Sequence, residues 1–96
     1  MENTDRPQMH PLGKGEAFKL LEVNAKSGMS MPEHHATSEA VIVVKTGEAV
    51  LKMDKKEQIL KSGDTIILPA RKNHSLHINK DFNAIVTLAA NGEIEF

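Results

Sequence analysis

The chain contains no cysteine, tryptophan or tyrosine, and Phe18, Phe82 and Phe96 are its whole aromatic content. Without thiols there is no disulfide framework, no thiolate nucleophile and no thiolate metal site. Sites that grip sugars or nucleobases rely on aromatic faces for stacking, so carbohydrate and nucleic-acid recognition recede. A dominant charge is missing too: 12 Lys and Arg against 13 Asp and Glu leave a formal net charge of −1. No broad field draws the chain to nucleic acid or to an anionic membrane surface. No run approaches the roughly 18 apolar residues of a spanning helix. The start, Met1 to Pro7, is polar and unlike a secretory signal, so neither nucleic acid nor membrane is expected as a partner and the expected location is cytoplasmic.

Helical periodicity is also lacking, since no stretch sustains apolar residues at i, i+3, i+4 and i+7. What the chain does have is short β-branched runs separated by glycine turns. Phe18 to Val23 reads as a strand, and Ser30 to Ala36 is extended with Pro32 at an edge or strand start. Ala40 to Val44 is apolar on both faces, so both faces are expected to be covered. Lys45 to Glu48 is expected to turn the chain and Ala49 to Met53 to return, with a charged tip at Asp54 to Glu57 and a further strand at Gln58 to Lys61. Thr65 to Leu68 is a strand stopped by Pro69. His74 to Ile78 and Ala84 to Leu88 are expected as separate strands joined by Asn79 to Asp81, and Glu93 to Phe96 as a short terminal strand. The length allows one core. The pattern predicts an all-β, antiparallel sandwich or barrel over residues 16–96, preceded by an extended arm at residues 1–15 placed to lie against a neighbouring subunit.

Two segments organise this chain. The first runs from Gly28 through His34 and His35 to Gly47; the second runs from Gly63 through Pro69 to His74. Their spacing resembles the cupin superfamily, whose first motif is Gly, five residues, His-x-His, three or four residues, Glu, six residues, Gly. Gly28, His34 and Gly47 stand in register with it, while Ala36 takes the place of the second histidine and Ala40 that of the glutamate. In the second motif Gly63, Pro69 and His74 match, Arg71 replaces a glycine and Ile78 an asparagine. The resemblance covers roughly residues 16 to 90 and implies an RmlC-like double-stranded β-helix, or jelly-roll barrel.

A cupin metal typically sits on three histidines and a glutamate that point into the barrel. Here the resemblance leaves His34 and His74 as metal candidates beside two methyl groups, and a divalent Zn, Fe, Ni or Mn as the cofactor implied. Catalytic zinc sites usually have three protein ligands. The other possibility is a neutral histidine pair bonded to each other, to water or to a ligand. Only a shifted register, such as a one-residue bulge, would turn His35 and Glu39 inward to complete a metal set.

Strand alternation places Ala36, Ala40, Ile42 and Leu76 on the face of His34 and His74. These residues are the expected walls of a small-molecule pocket in which the two histidines orient a polar or anionic group. A metal-dependent cupin enzyme of dioxygenase, isomerase or decarboxylase type is the alternative. Leu21, Val23, Val41 and Val43 are expected to face outward, and such an apolar surface suggests a homodimer.

Overall fold

The computed structural model describes residues 7–96; residues 1–6 of the expected arm lie outside the described residues. The rest of that arm is strand β1, Gln8–Lys14, paired antiparallel to β2, Phe18–Ala25, of the same chain. There follow β3 (Ser30–Ala36), β4 (Ala40–Met53), β5 (Lys56–Lys61), β6 (Thr65–Leu68), β7 (His74–Ala89) and β8 (Ile94–Glu95). All pairings are antiparallel, and no helix occurs among the described residues. None is therefore long and apolar enough to cross a membrane.

The architecture is a curled antiparallel sheet in two layers, and β4 and β7 run through both. One layer has the order β1-β2-β7-β4-β6, using Phe82 to Ala89 of β7 and the first half of β4. The other has the order β8-β3-β7-β4-β5, using His74 to Ile78 of β7 and the second half of β4. Inward residues alternate along each strand as the period of two requires. Ala40, Ile42 and Val44, then Leu76 and Ile78, then Ala84, Val86 and Leu88 are all buried in one apolar core.

Two expected turns are bends instead. Ala40 to Val44 and Ala49 to Met53 are one 14-residue strand, and His74 to Ile78 and Ala84 to Leu88 are one 16-residue strand. Their mutual register shifts three times between Val44 and Ala49. Gly47 sits in that bend with φ +93°. A Cβ added there would lie 2.0 Å from the Asp81 carbonyl oxygen and 2.7 Å from Phe82 Cα. The glycine marks a close crossing of two backbones, a use that sequence alone does not separate from a hairpin turn. The hairpin proper is β4–β5, closed by Asp54 and Lys55 with φ 55° and 63°, both in the left-handed region that suits a two-residue turn.

Alternation on β2 also differs from expectation. Val23 is 4% exposed and Leu21 packs against the core, so these two face inward. Phe18 and Leu20 are the outward residues of that strand. Nor is the outer face of Ala40 to Val44 covered by this chain: Val43 is exposed and Val41 half-buried. That layer is solvent-facing on one side, as antiparallel sheets commonly are.

Candidate functional site

His34 and His74 are opposed partners in the β3–β7 register. The four residues from Met31 to His34 on β3 span the same stretch as the three from Leu76 to His74 on β7, so β3 carries an extra residue. The bulge falls at Pro32 and Glu33, which are both exposed, and it brings His34 onto the inward face already held by Met31. The two rings are buried, at 6% and 5% exposure, with centroids 4.3 Å apart and planes at 64°. Ala36 and Ala40, each buried, leave only methyl groups at the two motif positions they occupy, while Ile42 and Leu76 belong to the core around them.

Both rings are anchored alike. His34 Nδ1 lies 2.8 Å from the Pro32 carbonyl oxygen, and His74 Nδ1 lies 3.1 Å from that of Lys72. Each carbonyl stands two residues before its histidine and is off the strand ladder, one at the bulge and one in the loop before β7. A carbonyl oxygen can only accept, so each Nδ1 carries the proton and each Nε2 is a bare acceptor. Among the described residues neither Nε2 makes a hydrogen bond, and no buried polar atom lacks a partner, so both Nε2 atoms keep some solvent access.

Burial depresses the pKa of both rings below the ordinary histidine range; the carbonyl bonds oppose that shift without reversing it, and the neighbouring histidines add to it. Both are therefore neutral at pH 7. The site offers two acceptors and no donor. An anion finds nothing to bind on these rings, whereas a hydroxyl, an N–H or a cation does.

His35 points away from this pair. It is half-buried, with Nε2 3.1 Å from Glu95 Oε1 and Nδ1 2.9 Å from the Asn73 carboxamide, and it ties β3 to β8 and to the loop before β7. Glu39 is exposed and lines a shallow groove with Phe18, Val41 and Ile67, facing away from the histidine pair. The extra residue of β3 precedes His34, so the register that would turn His35 and Glu39 inward is not adopted. Among the described residues no group of three or more His, Cys, Asp or Glu side chains could hold a metal. Two imidazole acceptors remain, one ligand short of the usual catalytic set.

Phe96 is a site residue that the sequence motifs do not reveal. Its ring lies 4.8 Å from that of His34, tilted by 31°, while the side chain stays largely exposed. Strand β8 brings it there through the pairs His35–Glu95 and Ala36–Ile94. The expected terminal strand was the available signal, but no spacing rule says which side chain it delivers. Leu76 also borders a surface cavity of about 560 Å³ formed with Ser30, Pro32, Val50 and His77.

The cupin domain family model matches residues 19–90. Comparison with curated proteins finds no match. Among solved structures, an RmlC-like cupin protein from Desulfovibrio desulfuricans is 25% identical with a TM-score of 0.77, covering 94% of this chain and 90% of that one. A cupin superfamily protein from Desulfitobacterium hafniense is 18% identical with a TM-score of 0.81, covering 95% and 84%. DMSP lyase DddQ from Ruegeria pomeroyi is 22% identical with a TM-score of 0.82, covering 91% of this chain but 48% of that one.

Proposed function

The chain belongs to the cupin domain family, and from that premise we propose that it is a cytoplasmic small-molecule-binding cupin whose His34–His74 pair receives a hydrogen-bond donor on the ligand. One observation carries the proposal: both Nδ1 protons are committed to backbone carbonyls, so two neutral Nε2 acceptors sit side by side in an apolar surround. Apolar walls with a few convergent polar atoms are the usual form of a ligand site. Ala36 and Ala40 carry methyl groups where the family motif has longer polar side chains, and with Ile42 and Leu76 they make up the buried apolar surround of the pair. The exposed Phe96 ring lies over His34, so a ligand reaches the pair by displacing or sliding beneath it. The bound group is an alcohol, an amide N–H or an ammonium rather than a carboxylate.

A metal-dependent enzyme of dioxygenase, isomerase or decarboxylase type is the alternative, favoured by the same two lone pairs, since imidazole nitrogen suits Zn, Fe and Ni. The donor set does not fit a complete catalytic centre, because the described residues supply two ligands and no acidic third.

Long-range nitrogen–proton correlation on histidine-labelled protein tests both. His34 and His74 should appear as Nδ1–H tautomers, and small alcohols, amides or alkylammonium ions should shift their Nε2 signals while acetate does not. Nε2–H tautomers, or a preference for acetate, would overturn the proposal. Elemental analysis of untagged protein showing stoichiometric metal, lost in His74→Ala, would favour the enzyme instead.

A further inference from the structure

A second cavity lies away from the histidine pair, where β2 and β7 leave their common layer. It encloses about 360 Å³, and none of its lining residues belongs to the surround of His34 and His74. Its apolar floor is Ala25, Met29 and Phe82, the first and last of them buried in the core. Ala25 and Phe82 form the last ladder pair of the two strands. Alternation therefore sets Asn24 and Lys26 on one side of the floor and Asp81 and Asn83 on the other, and all four line the cavity.

Hydrogen bonds fix what each side presents. Asn83 Nδ2 lies 2.9 Å from Glu22 Oε2 and 2.6 Å from Asn24 Oδ1. A carboxylate only accepts, so Asn83 commits both amide hydrogens there and keeps Oδ1 as an acceptor. Asn24 accepts through Oδ1 and keeps the two hydrogens of Nδ2. Among the described residues neither of these remaining atoms has a further partner. The Asp81 carboxylate accepts from the Ser27 backbone N–H at 2.9 Å through Oδ1 alone. Neither Lys26 nor Asp81 takes part in an ion pair among the described residues. Strand β2 thus offers donors, an amide and an ammonium, and β7 offers acceptors, a carbonyl oxygen and a carboxylate.

We infer that this cavity binds a small zwitterion of the α-amino acid class. Its carboxylate lies toward Lys26 and Asn24, its ammonium toward Asp81 and Asn83, and its apolar side chain on Met29 and Phe82. An anion alone would face Asp81, a cation alone would face Lys26, and a neutral molecule would leave both charges without a partner. Adjacent strands stand ~4.8 Å apart, so a molecule with both charged groups on one carbon reaches the two sides at once. The volume is at the lower end of ligand-site sizes, which suits so small a molecule.

Titration of the isotope-labelled full chain with L-leucine, followed by backbone and side-chain amide shifts, tests this. Asn24, Lys26, Asp81 and Asn83 should shift together and saturate with a Kd of about 1 mM or tighter. Isocaproate, which lacks the ammonium, and isoamylamine, which lacks the carboxylate, should each bind weaker by about 10-fold or more, since each forfeits a charged hydrogen-bond partner. Lys26→Met and Asp81→Asn should each cost leucine a similar factor, while Lys61→Met on β5 should change nothing. Asp81→Asn keeps an oxygen for the Ser27 N–H, and Lys26 is exposed, so neither variant removes a contact that the fold needs. Shifts that fail to saturate by roughly 10 mM leucine overturn the inference. So do three probes that bind alike, variants that bind leucine as wild type does, or leucine shifts centred on His34 and His74 instead.

Discussion

Gly47→Ala is the most discriminating perturbation of this fold, because the chain supplies its own controls. Gly28, Gly47 and Gly63 have φ of 92°, 93° and 92°, so alanine at any of them meets the same left-handed backbone penalty. That penalty is about 1–2 kcal/mol. A Cβ at Gly28 or Gly63 meets nothing within 4 Å, whereas at Gly47 it meets the Asp81 carbonyl oxygen at 2.0 Å and Phe82 Cα at 2.7 Å. Those atoms are backbone held in the β7 ladder, so relief requires β4 and β7 to part at their bend. We expect Gly28→Ala and Gly63→Ala each to lower stability by about 1 kcal/mol, and Gly47→Ala by at least about 3 kcal/mol. Against a total of roughly 5–14 kcal/mol for 96 residues, the last is a large fraction of what holds the chain folded. Urea unfolding followed by far-ultraviolet circular dichroism measures all three, with the midpoint shift read at constant slope. Equal losses at the three sites would refute the close crossing of β4 and β7 as the reason for Gly47.

Stability should be level above pH ~6.5 and fall below it, because the unfolded histidines protonate near 6.5 while burial keeps folded His34 and His74 neutral to lower pH. The slope contributed is up to ~1.4 kcal/mol per pH unit for each ring, and thermal melts from pH 7 to 5 should be flatter in the His34→Gln, His74→Gln double variant. An identical pH profile in that variant would show that the two rings are not the groups refusing protons. Arg71, with φ 63°, occupies a left-handed position where the second cupin motif has glycine, so Arg71→Gly should raise stability by up to about 1 kcal/mol in urea titration. His35→Ala removes the bonds to Asn73 and Glu95 and should cost about 1 kcal/mol or less, seen as faster amide exchange of Ile94 and Glu95 without change at β5.

Much of this was legible in the residues. A period of two places Ala40, Ile42 and Val44, and Ala84, Val86 and Leu88, on the buried face as read, although the expected cover over the other face of Ala40 to Val44 is absent from this chain, and motif spacing pairs His34 with His74 across forty positions of chain. What escaped has identifiable causes. Gly47 and the Asn79 to Asp81 stretch carry turn composition, yet both lie in strands whose hydrogen-bonding continues through a bend, a difference set by a contact remote in sequence. Leu21 and Val23 are apolar, but so are Phe18 and Leu20, and on such a strand the sequence has no polar phase to say which set turns inward. The histidine tautomers depend on the Pro32 and Lys72 carbonyls, and backbone acceptors have no signature in side-chain identity. Phe96 belongs to the site through strand pairing alone.

The two strands common to both layers have a topological consequence. Severing the peptide after Gly47 would distribute every layer between two fragments: β1, β2, β3 and half of β4 on one, and the remainder with β5 to β8 on the other. Neither piece keeps an intact sheet, so the barrel has no half that can fold by itself and should melt in one cooperative step. A nick at the Asp54–Lys55 tip parts no strand internally, and that tip is where a permuted terminus or an inserted peptide should be borne.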